Sequence, residues 1–198
     1  SYEIKYDGFR CVLKWTKRDI RLLSKNNHDL TDKFPEIIDF CQANKSSVST
    51  ILPLTIDGEL VILNHPYQAN FSLMQSRGRS GKRMKPAQFI AFDLLTRDGQ
   101  SLEQQTYKER RQQLETLFKI LPHDIFSPLR LIEIFSKAIE CQQIVFANKS
   151  EGIVAKRKSS LYRPGKKHHD WFKIKNWRKI TGILTAYDEQ NGYFSVAV

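Results

Sequence analysis

Apolar and polar residues alternate with a period of two along EIKYDGFRCVLKWTK and again along IRLLSK, and the Arg18-Asp19 turn between them predicts antiparallel pairing. FPEIIDFCQAN reads as a helix with Pro35 in its first turn, where a missing N–H leaves no bond unmade. A strand pair is expected around LTIDGELVIL, and a short helix near FSLMQSR. FIAFDLL is a compact apolar strand ended by the turn Arg97-Asp98-Gly99. In YKERRQQLETLFKIL the apolar positions 107, 114, 117, 118 and 121 fall on one helical stripe. LRLIEIF predicts one strand, and SKAIECQQIVFANK a helix capped by Ser136. GIVAKRK and WFKIKNW read as further strands. ITGILTAYD and YFSVAV flank Glu189-Gln190-Asn191-Gly192 as a hairpin.

Long helices alternating with parallel-sheet strands are missing from this pattern. The expected fold class is therefore α+β, two mainly antiparallel sheets with flanking helices. The hairpin differs in kind, because two strands alone are marginal in water. Residues 1–178 are expected to form one domain and 179–198 to begin another. A chain of 198 residues has room for that arrangement.

Composition narrows the setting. With 40% hydrophobic and 27% charged residues the chain resembles an ordinary globular protein, and runs such as ILPLTI are too short to cross a bilayer. SYEIKYDGFR lacks the apolar segment of a secretory signal, so a cytoplasmic setting with no membrane partner is expected. Three cysteines at 11, 41 and 141 are odd in number and widely spaced, which argues against a disulfide framework or a zinc site. His168 and His169 lack partners at metal-ligand spacing and read as a solvated turn. Thirty-two Lys and Arg against twenty-one acids leave a formal charge of +11, which suits a polyanionic partner. Basic residues crowd into 76–85 and, mixed with aromatics, into 156–179; phosphate contact with base stacking and a plain solvated loop both fit them.

Six short pieces then follow in order: EIKYDGFR, SKNN, DGE, FDLL, EGIVAK and WFKIK. Singly each has a bland reading. Lys5 could sit beside a turn, Phe92 in the core, Glu59 and Glu151 at strand ends, Lys173 and Lys175 on a solvated edge, Arg10 on the surface. Together, each on a strand or strand end, they resemble the covalent nucleotidyltransferases, the superfamily of DNA ligases, RNA ligases and mRNA-capping enzymes. KYDGFR with DGELV, AFDLL and SEGIVAK is most similar to bacterial ATP-dependent DNA ligases of the LigD end-joining type.

That resemblance implies a reaction. A lysine amine attacks the α-phosphate of ATP, releases pyrophosphate and holds AMP as a phosphoramidate; AMP then passes to a DNA 5′-phosphate, and a 3′-hydroxyl displaces it. A free lysine is neutral in only about one part in a thousand near neutral pH, so deprotonation costs roughly 4 kcal/mol that the site must offset. The resemblance implies Lys5 as nucleophile, Glu3 and the Ile4 backbone on the adenine edge, and Arg10 with Glu59 on the ribose hydroxyls. Phe92 would stack on the base, with Ile153 or Val154 closing the other face. Lys173 and Lys175, two apart on a strand and so on one face, would grip the α-phosphate, and Glu151 would ligate Mg²⁺. Residues 179–198 would start the oligonucleotide-binding barrel that follows in these ligases. The implied partners are nicked or broken duplex DNA, fused or associated polymerase and nuclease domains, and an end-binding protein, with the chain itself a monomer.

Two departures stand out. Ser24-Lys25-Asn26-Asn27 occupies the place of a Ser-Arg-Asn-Gly type turn, and Lys25 can neutralise a phosphate without giving arginine's two-pronged bond. Asn27 replaces glycine but tolerates a left-handed backbone. The unfinished barrel is the other departure. Two alternatives stay open on the residues alone: an RNA ligase or capping-type nucleotidyltransferase, and a nucleic-acid-binding module without catalysis.

Overall fold

The computed structural model describes residues 1–77, 85–122, 124–165, 169–177, 179 and 181–197. In chain order, β1 (Tyr2–Lys5), β2 (Phe9–Trp15) and β3 (Ile20–Ser24) precede α1 (Pro35–Ala43). Next come β4 (Leu54–Val61), β5 (Leu63–His65), β6 (Gln68–Ala69) and α2 (Phe71–Ser76), then β7 (Gln88–Arg97) and β8 (Gln100–Ser101). After α3 (Tyr107–Ile120) follow β9 (Leu129–Leu131), β10 (Ile134–Phe135), α4 (Ala138–Ala147), β11 (Gly152–Lys156) and β12 (Trp171–Lys175). The hairpin β13 (Ile183–Asp188) and β14 (Tyr193–Ala197) comes last.

Two larger sheets result. The first runs β3-β2-β4-β7-β8, with β9 alongside β7; the second runs β10-β1-β11-β12. Among the described residues the pairings of these two sheets are antiparallel except β7 with β9, which is parallel, so the α+β expectation of mainly antiparallel sheets holds. The first sheet rests on a core that includes Trp15, Leu22, Ile56, Phe89, Leu114 and Phe118, all at most 1% exposed. α1 packs on β3, and α3 on β7 and β9. A smaller apolar cluster around Ile4, Cys141, Val145 and Ile153 lies beneath the second sheet, where α4 packs on β1, β10 and β11.

Three expectations are corrected. LTIDGELVIL does not pair with itself: β4 runs unbroken over Leu54–Val61, with Asp57, fully buried, continuing it because its carboxylate is met by Arg10, and Leu63 opens β5, which pairs with β6. LRLIEIF is split between the sheets. Its apolar residues leave period two at Leu131-Ile132, so Leu129 stays in the first core while Ile132 and Phe135 join the second. Ser136 does not cap α4; Lys137 holds the cap position, with no side-chain cap bond.

α3 starts sharply. Thr106 and Glu109 form a reciprocal capping box, worth about 1 kcal/mol, and this makes Tyr107 the first helical residue. One turn later Arg110 meets Asp93 of β7 through two bonds, Nε at 2.8 Å and Nη2 at 2.7 Å, with both side chains fully buried. Such a pair ties α3 to the sheet. Removing one partner would strand the other's charge at a loss of about 3–5 kcal/mol.

β13 and β14 pair with each other, and their described residues are exposed throughout. No helix among the described residues is long and apolar enough to cross a membrane. Most of the basic stretch 76–85, His168 and parts of 156–179 lie outside the described residues.

Candidate active site between the two sheets

The register of the second sheet builds one wall of a cleft. Glu3 of β1 stands opposite Val154 of β11, which stands opposite Lys173 of β12. One step along, Lys5, Gly152 and Lys175 form the next row, and Lys156 faces Trp171 at the other end. Alternation along each strand sends Glu3 and Lys5, Val154 and Lys156, and Trp171 and Lys173 toward one face. The first sheet supplies the opposite wall through the row Arg10, Glu59 and Ile90, with Phe92 two residues further along β7. Between them is a cavity of about 280 Å³ lined by Glu3, Ile4, Lys5, Arg10, Lys25, Glu59, Phe92, Val154, Lys156, Trp171 and Lys173, among others.

Glycine allows the two sheets to approach. A Cβ on Gly8 would fall 2.2 Å from the Leu60 carbonyl oxygen, so the turn between β1 and β2 can lie against β4 only without a side chain. Gly152 serves the pairing within the second sheet instead, since a Cβ there would meet the Ile174 carbonyl oxygen of the neighbouring β12 at 2.1 Å. At the SKNN turn Asn27 takes φ 61°, and its N–H reaches the Ser24 carbonyl at 2.9 Å. The left-handed residue is accommodated, and Lys25 faces the cavity.

Two ion pairs occupy the ends of the β1–β11 ladder. Lys5 Nζ contacts Glu151 Oε2 at the mouth, with side chains 18% and 23% exposed. Glu3 Oε2 and Lys156 Nζ meet at 2.8 Å on the floor, each side chain 2% exposed. Near the mouth Asp7 carries a carboxyl pushed above the usual range, first by desolvation and then by the like charge of Glu151. Burial pushes Glu59 up to about 7 despite the pull of Lys5 and Arg10. Lys173 is held below the ordinary lysine range, by desolvation first and then by the positive charges of Lys5 and Arg10. Cations crowded on one cavity form a site that a phosphate would relieve.

The sequence-derived set is thus mostly brought together, with exceptions. Ile153 is 6% exposed in the second apolar cluster, while Val154 lines the cavity, because neighbours on a strand face opposite ways. Lys175 stays outside the cavity wall, with its Nζ 5.1 Å from the Trp177 ring centre. Arg10 faces the cavity but gives Nε and Nη2 to Asp57 at 3.2 and 2.7 Å, and Nη2 also to Tyr162 Oη at 3.3 Å. Its charge is therefore largely answered within the protein. For Mg²⁺ the chain offers Glu151 and Asp7; among the described residues no group of three or more His, Cys, Asp or Glu side chains could hold a metal. Mg²⁺ commonly takes one or two carboxylates and fills its octahedron with phosphate and water oxygens.

Sequence reasoning missed Lys156, Trp171 and Tyr107. Period two from Val154 would have put Lys156 on the cavity face. No local signal could have brought in Tyr107, which arrives from a helix more than a hundred residues from Glu3.

Comparison with known proteins agrees with this geometry. Residues 1–175 match the family model described as the ATP dependent DNA ligase domain. The bifunctional non-homologous end joining protein LigD of Bacillus subtilis is 33% identical over all of this chain, which spans 34% of that protein's length. The ligase domain of Mycobacterium tuberculosis LigD superposes with a TM-score of 0.73 at 30% identity, covering 89% of this chain and 53% of that one. A mycobacterial DNA ligase D complexed with ATP gives 0.74 at 27% identity, covering 98% and 60%. With the sheets, the cavity and these matches in agreement, the chain belongs to the ATP-dependent DNA ligase domain family.

Proposed function

We propose that this chain is the nucleotidyl-transfer domain of an ATP-dependent DNA ligase and that Lys5 is its nucleophile. The observation that carries the reading is the convergence of Lys5, Glu59, Phe92 and Lys173 on one cavity between the sheets. Lys5 Nζ, once deprotonated, attacks the α-phosphorus of ATP; a P–N bond forms, the bond to the pyrophosphate oxygen breaks, and pyrophosphate leaves. The AMP then passes to the 5′-phosphate of nicked or broken DNA, freeing the amine, and a 3′-hydroxyl displaces AMP to join the strands.

The chain's own groups position this step. Glu3 and Ile4 meet the adenine edge, and Phe92 and Val154 bracket the base. Glu59, with Arg10 steadied by Asp57, faces the ribose. Lys25 and Lys173 add positive charge where the phosphates enter, with Lys175 beyond the wall to receive the triphosphate tail. Glu151 and Asp7 would hold Mg²⁺, which when bound neutralises phosphate charge.

Duplex DNA as substrate is supported by the net charge of +11. Fused polymerase or nuclease domains and an end-binding protein are supported by relatives named bifunctional or multifunctional end-joining proteins. We further propose that 179–198 belongs to an oligonucleotide-binding barrel, that the chain is monomeric, and that it works in the cytoplasm. Incubation with ATP and Mg²⁺ followed by intact-mass measurement and peptide mapping should find one AMP on Lys5. An adduct on another lysine, or none, sinks the reading.

A further inference from the structure

The floor of the cavity holds an arrangement that the transfer chemistry does not require. Glu3 is 1% exposed yet ionisable, and both of its oxygens are engaged from the protein side. Lys156 Nζ binds Oε2 at 2.8 Å, and the Tyr107 hydroxyl donates to Oε1. Lys156 is itself confined. Its Nζ lies 3.3 Å from the Phe92 carbonyl oxygen and 4.2, 4.6 and 4.8 Å from the ring centres of Trp171, Phe92 and Tyr107. Three aromatic faces favour a cation there and fix the position of the ammonium beside the carboxylate.

We propose that Lys156 and Tyr107 are positioning residues for base selection. They hold both carboxylate oxygens of Glu3 in fixed directions, so that the side chain presents aimed acceptor sites to whatever enters the cavity. Each carboxylate oxygen has two acceptor sites, and the clamp occupies one on each. The free sites suit the exocyclic amine of adenine and repel the O6 carbonyl of guanine, which is itself an acceptor. Without Lys156 the Oε2 side of the carboxylate loses its partner, and its acceptor sites are no longer aimed at the base edge. A carboxylate free to turn from the base edge would lose its preference for adenine. This inference rests on the nucleotidyl-transfer reading.

The test compares adduct formation from ATP and from GTP in the intact protein, before and after Lys156→Met. The ATP concentration for half-maximal rate should rise about tenfold or more, with a smaller change in maximal rate, and discrimination against GTP should fall by a similar factor. A merely structural pair would slow both nucleotides alike and leave their ratio unchanged, which overturns the proposal. If Lys156→Met does not fold, Tyr107→Phe removes only the hydroxyl and keeps the ring; it should shift the ratio several-fold in the same direction, and an unchanged ratio overturns the proposal equally. A wild-type protein that takes no AMP from ATP would defeat the transfer reading itself. A charged wild type with unaltered variants defeats only the clamp.

Discussion

The same pair of strands carries two carboxylate–ammonium pairs of opposite orientation. At the mouth β1 supplies the lysine and the segment before β11 the glutamate; on the floor β1 supplies the glutamate and β11 the lysine. Depth separates them. Water reaches Lys5 and Glu151, so either can exchange its partner for phosphate or metal at little energetic penalty. Glu3 and Lys156 are shut from water and surrounded by aromatic rings, so neither can lose the other cheaply. One strand pair thus provides a replaceable contact where chemistry is proposed and a fixed one where recognition is proposed.

The hardest way to break this contrast is at the mouth. Lys5→Ala should abolish the AMP adduct, lowering adduct formation by about a thousandfold or more, while unfolding stability stays near wild type. Lys5→Arg should fail as well, because a guanidinium does not give up its proton here. A surviving adduct by intact mass would show that the open pair is not the reactive one. Stability should rank the two pairs in reverse. Lys156→Met should lose about 3–5 kcal/mol in urea unfolding by stranding Glu3, whereas Glu151→Gln should lose less than about 1 kcal/mol. Equal losses would erase the distinction between floor and mouth.

A pH series sharpens it. Glu59 faces the cavity from the opposite wall, its carboxyl raised by burial to about 7. The folded protein therefore binds a proton that the unfolded chain releases above its ordinary carboxylate value. That contribution is fully present below about pH 4.5 and is lost as pH rises through about 7. Glu59→Gln should remove this slope, so its stability relative to wild type should improve between pH 5 and 7.5. Parallel unfolding curves for the two proteins across that window would contradict the assignment. The smallest effect is expected at Lys25. Lys25→Ala should raise the ATP needed for half-maximal charging by about fivefold or less, since one flexible ammonium is worth roughly 1 kcal/mol or less. A loss on the Lys5 scale would make Lys25 part of the reactive group.

Local pattern reached far into this molecule. Period-two alternation in residues 9–24 gave the β2–β3 hairpin, and the apolar stripe 107–121 gave α3. The six motif pieces named most of the cavity wall, because all but the SKNN turn lie largely on strands whose alternation sets their faces. Where the reading went astray, a choice between faces or sheets was at issue. Ile153 and Val154 are equally apolar, and sequence cannot say which side of β11 meets the core. An acid inside a strand, such as Asp57, has no local partner to announce it; Arg10 on the neighbouring strand supplies one.

By itself the sequence determined the order of the elements, the lysine in EIKYDGFR and the family to which the chain belongs. Those properties follow from local propensity and from motifs only a few residues long. Tertiary structure alone decided that Lys156 meets Glu3, that Tyr107 reaches both, and that Lys5 faces Glu151 across 146 residues of chain. The physical reason is that ion-pair geometry and burial depend on which faces of separate strands and helices are packed together, and no short stretch of sequence encodes that distance.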